Sequence, residues 1–306
     1  MGRRRWPLAP HDSACTAAQN GAPPGSGLML GEVLRLEDVA CTCDGRVVVD
    51  RVSVTIAAGT LNVVRGGRGS GKSVLMSVAA AARRPGAGSV FIAGRDILAL
   101  QQTSLPFVRR NIGYLPADPP LIGDESALEN VMLALAVRGD AIAAAEEAAS
   151  AALADVGLPE NLLPVATKRL SDTERRLVAL ARAVVGAPPL VVLDEPTAGL
   201  APGDRRVVVH LLAALRTQRV AVLCATADMT LADELEAAGA DVLDLHNGRL
   251  VGEPRMTVLR GRTTPAPLES ASDVHAADDD AADVDDAQEL DPEDVMLVDD
   301  VREARR

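Results

Sequence analysis

Residues Gly66-Gly67-Arg68-Gly69-Ser70-Gly71-Lys72-Ser73 constrain the fold of this chain more than any other stretch. They stand directly after a short apolar run, Leu61-Asn62-Val63-Val64, and directly before helical patterning that extends from Lys72 to about Arg84, where Pro85-Gly86 stops it. Glycines between a strand and a helix let successive backbone N–H groups curve around a phosphate chain, and the helix start adds its positive end. In that setting Lys72 reaches the β- and γ-phosphates of a nucleotide, and the Ser73 hydroxyl can ligate Mg²⁺. A merely flexible turn would not need the strand, the lysine and the serine in register. Gly66, Gly67, Arg68, Gly69, Ser70, Gly71, Lys72 and Ser73 are therefore the candidate nucleotide site.

The rest of the chain reads as strands alternating with helices. Val52, Val54 and Ile56 alternate with Arg51, Ser53 and Thr55, the period of a half-buried strand. Further strands are expected over Ser89–Ala93, Leu190–Leu193 and Val220–Ala225. Helices are expected over Asp172–Val185 and Asp204–Leu215, and an alanine-rich helical region runs from about Ala127 to Val156, broken at Gly139. Asn247-Gly248 marks a tight final hairpin. Such alternation, with an all-helical insertion in the middle, means an α/β fold with a parallel central sheet.

The apolar strand Leu190-Val191-Val192-Leu193 ends in Asp194-Glu195. An apolar strand that ends in two acids puts both at the C-terminal edge of the sheet, where ligands of open α/β sheets bind. Coupled to the phosphate loop, Asp194 is the candidate magnesium carboxylate, together with Ser73. Glu195 is the candidate catalytic group that polarises the attacking water.

Charge excludes one function class. The net charge is −12, and the segment from Arg262 to Arg306 holds 15 acidic and 4 basic side chains, which accounts for nearly all of it. The remainder is close to neutral, so no basic excess exists to displace counterions from nucleic acid. Residues 1–30, rich in Pro, Gly and Ser, read as a disordered lead, and 262–306 as a self-repelling acidic tail. No run approaches the roughly 18–20 apolar residues of a membrane span, so membrane contact is expected only through a partner. Cys15, Cys41, Cys43 and Cys224 fit neither a disulfide framework nor a zinc knuckle, which suits a reducing cytoplasm.

The order of these pieces carries a family resemblance. Leu170-Ser171-Asp172-Thr173-Glu174-Arg175-Arg176-Leu177-Val178-Ala179-Leu180-Ala181-Arg182-Ala183 precedes the acidic strand, and Glu195-Pro196-Thr197-Ala198-Gly199-Leu200 follows it. The arrangement resembles the signature helix, Walker B strand and D-loop of ABC-type ATPases over about Val33 to Gly252. Within that family, the stretches Ser104–Gly113 and Glu129-Asn130-Val131 resemble the cell-division, lipoprotein-release and macrolide-export group. The resemblance implies a P-loop NTPase fold with a mixed, largely parallel central sheet, an antiparallel β subdomain and an inserted α-helical subdomain at about 115–187. The nucleotide-binding domain would then span 31–261. It implies Mg-ATP as ligand, hydrolysis that drives or signals to a transmembrane permease-type subunit, and a peripheral place on the inner face of the cell membrane. Ser171 would face the ATP bound by a second ATPase subunit.

Several positions depart from the family pattern. The Q-loop glutamine aligns with Ala117, the switch histidine with Ala227 and the D-loop aspartate with Ala201, and no aromatic for adenine stands near Cys43. The signature reads Leu-Ser-Asp-Thr-Glu in place of Leu-Ser-Gly-Gly-Gln. There Asp172 would bring a carboxylate toward an anion, a costly like-charge approach. Ser171 with Glu174 three residues on is also a capping box, which accounts for the segment locally. Two consequences are open: slow hydrolysis as a homodimer, or a heterodimer with a better-equipped ABC ATPase. The alternative function is a regulatory module whose ATP binding controls dimerisation and docking.

Overall fold

The structure, a computed structural model, describes residues 31–251. The expected N-terminal lead and acidic tail lie outside the described residues. The elements in order are β1 (Glu32–Cys43), β2 (Arg46–Ala57), β3 (Leu61–Arg65), α1 (Lys72–Ala79), β4 (Ala87–Ile92), β5 (Arg95–Asp96), α2 (Leu105–Arg109), β6 (Ile112–Leu115), α3 (Ala127–Ala136), α4 (Ile142–Asp155), α5 (Asp172–Val184), β7 (Leu190–Asp194), α6 (Pro202–Thr217), β8 (Ala221–Thr226), α7 (Met229–Ala237), β9 (Asp241–His246) and β10 (Arg249–Val251).

Two sheets result. One is antiparallel, ordered β2-β1-β4-β5; the other is ordered β10-β9-β3-β8-β7-β6. In the second sheet β9, β3, β8, β7 and β6 run parallel, and β10 pairs antiparallel with β9. Strands β7 and β8 are buried at every residue and β3 at all but Arg65, as expected for parallel strands covered on both faces. Their side chains alternate between two cores. Leu61, Val63, Val191, Leu193, Val222 and Cys224 face a core built with the later helices, α3 to α7. Val64, Leu190, Val192, Ala221, Leu223 and Ala225 face a second core with α1 and the antiparallel sheet. The parallel sheet is thus a wall between two hydrophobic layers, and its C-terminal edge is where β3 and β7 deliver their loops.

Helices α3, α4 and α5 lie between β6 and β7 in the chain. Ser126 opens α3 with a capping box to Glu129. Gly139, at φ 94°, separates α3 from α4, at the predicted break. At the final hairpin Asn247 and Gly248 have φ of 49° and 79°, the left-handed pair that a two-residue turn requires.

One helix is shorter than its pattern predicts. α1 ends at Ala79, not near Arg84, because Ala81 turns left-handed at φ 54°. The carbonyl of Ala81 is taken by Arg109 Nε at 2.8 Å. A tertiary contact overrides the local helical preference of the alanines. Cys41 and Cys224 are buried and Cys43 half-buried, all three as free thiols. Among the described residues, no helix is long and apolar enough to cross a membrane.

Candidate functional site

The loop from β3 to α1 is pressed against its neighbours where glycine is required. Gly71 sits at φ 102°, and a Cβ there would lie 2.4 Å from the Val48 carbonyl oxygen. A Cβ on Gly66 would lie 2.4 Å from the Leu245 carbonyl oxygen. A Cβ at Gly67 or Gly69 would meet nothing within 4 Å, so these two line the open side, where Arg68 is also exposed. The loop is anchored by Gly66 N–H to the Thr226 carbonyl (3.3 Å) and by Gly248 N–H to the Ser70 carbonyl (2.9 Å). The result is a rigid cradle with one open side.

Lys72 is 6% exposed and folds back over that cradle. Its Nζ donates to the carbonyls of Gly66 (2.7 Å) and Gly67 (3.0 Å) and stands 3.6 Å from Glu195 Oε1. Ser70 Oγ is buried without a partner. Ser73, one residue into α1, stands beside Asp194, near enough for its hydroxyl to favour the charged carboxylate.

Asp194 closes β7 and is 1% exposed. Burial raises its pKa, and the negative charge of Glu195 adds to this; the Ser73 hydroxyl and the charges of Lys72 and Arg176 oppose it. Its Oδ1 has no hydrogen-bond partner. A buried carboxylate oxygen without a donor is costly, and a hard divalent cation relieves that cost. Asp194 and Ser73 therefore fit magnesium by chemistry: two oxygen donors side by side, one of them orphaned. Among the described residues, no group of three or more His, Cys, Asp or Glu could hold a metal by itself. Further ligands would have to come from phosphate and water, which is how magnesium is usually bound with nucleotides.

Glu195 has a left-handed backbone, φ 51°, unusual for a side-chain-bearing residue. Its N–H donates to the Ala225 carbonyl at 2.8 Å. Its carboxylate accepts from Thr226 Oγ1 (3.2 Å) and from the Ala227 N–H (2.8 Å). The position that lacks the family's histidine side chain thus still holds Glu195, through its backbone amide. Tyr114 on β6 belongs to the same neighbourhood: burial and the Asp194 charge push its phenol up to about 12.

Lys72, Ser73, Asp194 and Glu195 are brought together as their spacing predicts. Ser171 is not joined to them within the chain. It opens α5 as its N-cap, accepting from the Glu174 N–H (3.3 Å) while its own hydroxyl and N–H donate to the Glu174 carboxylate, each at 2.8 Å. Asp172 beside it is fully exposed, with a long 3.9 Å pairing to Arg175.

Two residues escape the sequence reading. Thr226, fully buried, orients Glu195. Arg176, 6% exposed, donates to the carbonyls of Ala117 (2.6 Å), Asp194 (3.3 Å) and Glu195. A signal for Arg176 exists: it falls in helical phase with the buried Ala179, Leu180 and Ala183 of α5, a charge on an apolar stripe.

Comparison with known proteins agrees with this geometry. The family model described as ABC transporter matches residues 49–198. The lipoprotein-releasing system ATP-binding protein LolD of Pseudomonas syringae is 35% identical over 207 residues, covering 67% of this chain and 89% of that protein. The cell division ATP-binding protein FtsE of Escherichia coli is 31% identical over 223 residues, covering 72% of this chain and 98% of that one. A solved dimeric bacterial ABC transporter cassette superposes with a TM-score of 0.66 at 25% identity, covering 72% of this chain and 97% of the other.

Proposed function

The chain belongs to the ABC transporter family, and from that premise we propose that it is the ATP-binding subunit of a membrane complex, hydrolysing Mg-ATP to drive or signal to a permease-type transmembrane subunit. The nucleotide-binding domain is residues 31–261, with its helical subdomain at about 115–187. The observation that carries the reading is the buried Asp194 oxygen without a donor, beside Ser73 and Lys72 at the mouth of a glycine cradle.

The residues divide the work. Backbone N–H groups between Gly66 and Ser73 bind the phosphates, and Lys72 exchanges its loop carbonyls for the β- and γ-phosphate oxygens. Magnesium, held by Ser73 and Asp194, would neutralise charge on the triphosphate. Glu195 accepts a proton from the water that attacks the γ-phosphate, its carboxylate aimed by Thr226 and the Ala227 N–H. Ser171 faces ATP held by a second ATPase subunit, either another copy or a different ABC ATPase. Membrane attachment, on the inner face, comes through the permease-type partner.

Calorimetric titration with ATP, with and without magnesium, tests the core of this reading. Wild-type protein takes up nucleotide in a magnesium-dependent way. Lys72→Ala weakens that uptake about 10²-fold, the effect of removing one member of a buried charge contact. Uptake indifferent to both magnesium and Lys72 would refute the assignment. Phosphate release with and without the membrane partner in vesicles then measures how far hydrolysis depends on it.

A further inference from the structure

Glu195 is gripped from two directions. Its carboxylate is held from β8, by Thr226 Oγ1 and the Ala227 N–H. Its backbone carbonyl is held from α5, by Arg176. The same guanidinium donates to the carbonyl of Ala117, in the segment that leaves β6 for the helices, and to that of Asp194. One buried side chain therefore ties three points: the start of the helical insertion, the signature helix on which it sits, and the turn that carries both acids.

Two details separate this from an arginine buried for packing. First, the guanidinium binds backbone carbonyls and makes no ion pair with either carboxylate, although both lie close enough for their charge to act on it. Asp194 and Glu195 are thereby positioned without being occupied. Second, the residue gripped at its carbonyl is the one with the left-handed backbone, φ 51°. Such a conformation persists only where the surroundings over-determine it. The planar fork of arginine can span two chain segments at once; a lysine ammonium, a single point of charge, cannot do so in the same geometry.

We propose that Arg176 is a positioning residue that couples the placement of the segment at Ala117 to the orientation of Glu195. Ala117 has no side chain that could reach the acids, and Arg176 makes the link through its carbonyl instead. A shift of α5 or of the Ala117 segment moves Glu195 by the same rigid connection. The proposal rests on the reading of Asp194 and Glu195 as the ATP-handling pair, and its structural half can be tested without nucleotide.

The experiment compares Arg176→Lys, Arg176→Gln and Thr226→Val in the full chain. Hydrogen–deuterium exchange on nucleotide-free protein is the first measurement. Both Arg176 variants are expected to speed exchange about tenfold or more at residues 113–118, which lead from β6 into the Ala117 segment, and at 194–198 together, whereas Thr226→Val affects only the second segment. Magnesium-ATP affinity is expected to stay within about twofold, while kcat for phosphate release falls about 10²-fold, the scale of a small misplacement of a catalytic group. Arg176→Lys is not expected to rescue kcat. If Arg176→Gln fails to fold, Arg176→Lys carries the test. Exchange that rises evenly over all helices with kcat per folded molecule unchanged, or a fully active Arg176→Lys, overturns the proposal. Failure of wild-type protein to bind ATP would instead overturn the functional reading and leave the exchange result standing.

Discussion

The cradle and the face around α5 make an instructive pair. In the cradle the residue types are fixed by close contacts within the chain: Lys72 with Glu195 and the loop carbonyls, Asp194 buried near Ser73 with one oxygen left open, Gly66 and Gly71 where any side chain would collide. Around α5 the side chains typical of the family are absent, and local contacts fill their places. The Ala227 amide, not a histidine, holds Glu195; Arg176 meets the bare carbonyl of Ala117; Ser171 and Glu174 close on each other. On the proposed reading, the cradle would grip the triphosphate and the α5 face would meet a second subunit, so binding and response are expected to be separable by mutation.

The largest expected effect comes from the group that belongs to both regions. Glu195→Gln keeps size and hydrogen bonding at the Ala227 amide but removes the proton acceptor. Phosphate release is expected to fall 10²-fold or more relative to wild type, about the range for loss of a general base, with Mg-ATP affinity maintained. A coupled phosphate assay beside a calorimetric titration checks both halves. Unaltered turnover would show that hydrolysis, if any, does not use Glu195, and the contrast between the regions would lose its meeting point.

A smaller effect sharpens the contrast from the cradle side. Asp194 is buried with an unpartnered oxygen, so its charge is a burden on the nucleotide-free fold. Asp194→Asn removes the charge and is expected to relieve roughly 1–3 kcal/mol, which raises Tm by about 2–4 °C per kcal/mol for a domain of this size. The sign with pH follows from the raised pKa. Between its ordinary and its raised value, folded Asp194 holds a proton that the unfolded chain releases. Wild-type stability is thus lost as pH rises through the folded pKa. The Tm advantage of Asp194→Asn opens across that window and closes below the usual carboxylate range. Adding Mg-ATP reverses the order, stabilising wild type and leaving the variant unchanged. Thermal melts across pH, with and without nucleotide, read all of this. A variant less stable than wild type at neutral pH would mean that Asp194 is satisfied in a way the geometry does not provide.

The two regions also differ in how far the sequence announces them. The cradle is legible because its chemistry demands fixed residue types at fixed spacing, and Asp194-Glu195 is legible because an apolar strand ends there. Element types over β3, β7, β8, α5 and α6 follow from periodicity for the same reason. β1 is not legible, although it is 12 residues long. Its buried residues Leu34 and Leu36 are one residue out of phase with Val39 and Cys41, because a bulge with Asp38 at φ 46° interrupts the pairing with β2. Alternation broken in mid-strand hides the strand. The contacts around Glu195 are hidden for another reason. Arg176 and Thr226 act on backbone groups or through a neighbour's carboxylate, and a contact to a carbonyl leaves no mark on the residue that supplies it.

The smallest effect decides what the start of α5 is for. Ser171 and Glu174 satisfy each other and the first N–H groups of the helix, with four hydrogen-bonding groups in one closed box. If local closure is their whole role, Ser171→Ala costs about 1 kcal/mol, as for other caps. Glu174→Ala costs a similar amount, and the double variant less than the sum, because each loses the same reciprocal contact. ATP-dependent dimerisation is then unchanged in all three. If Ser171 also meets ATP held by a second subunit, its hydroxyl must leave Glu174 to do so. Glu174→Ala would free that hydroxyl and strengthen dimerisation, while Ser171→Ala would abolish it at the same small cost in stability. Denaturant melts beside sedimentation with Mg-ATP and Glu195→Gln as background distinguish the two. Opposite signs for Ser171→Ala and Glu174→Ala in dimerisation, with equal signs in stability, can arise only if the box competes with the second subunit for one hydroxyl.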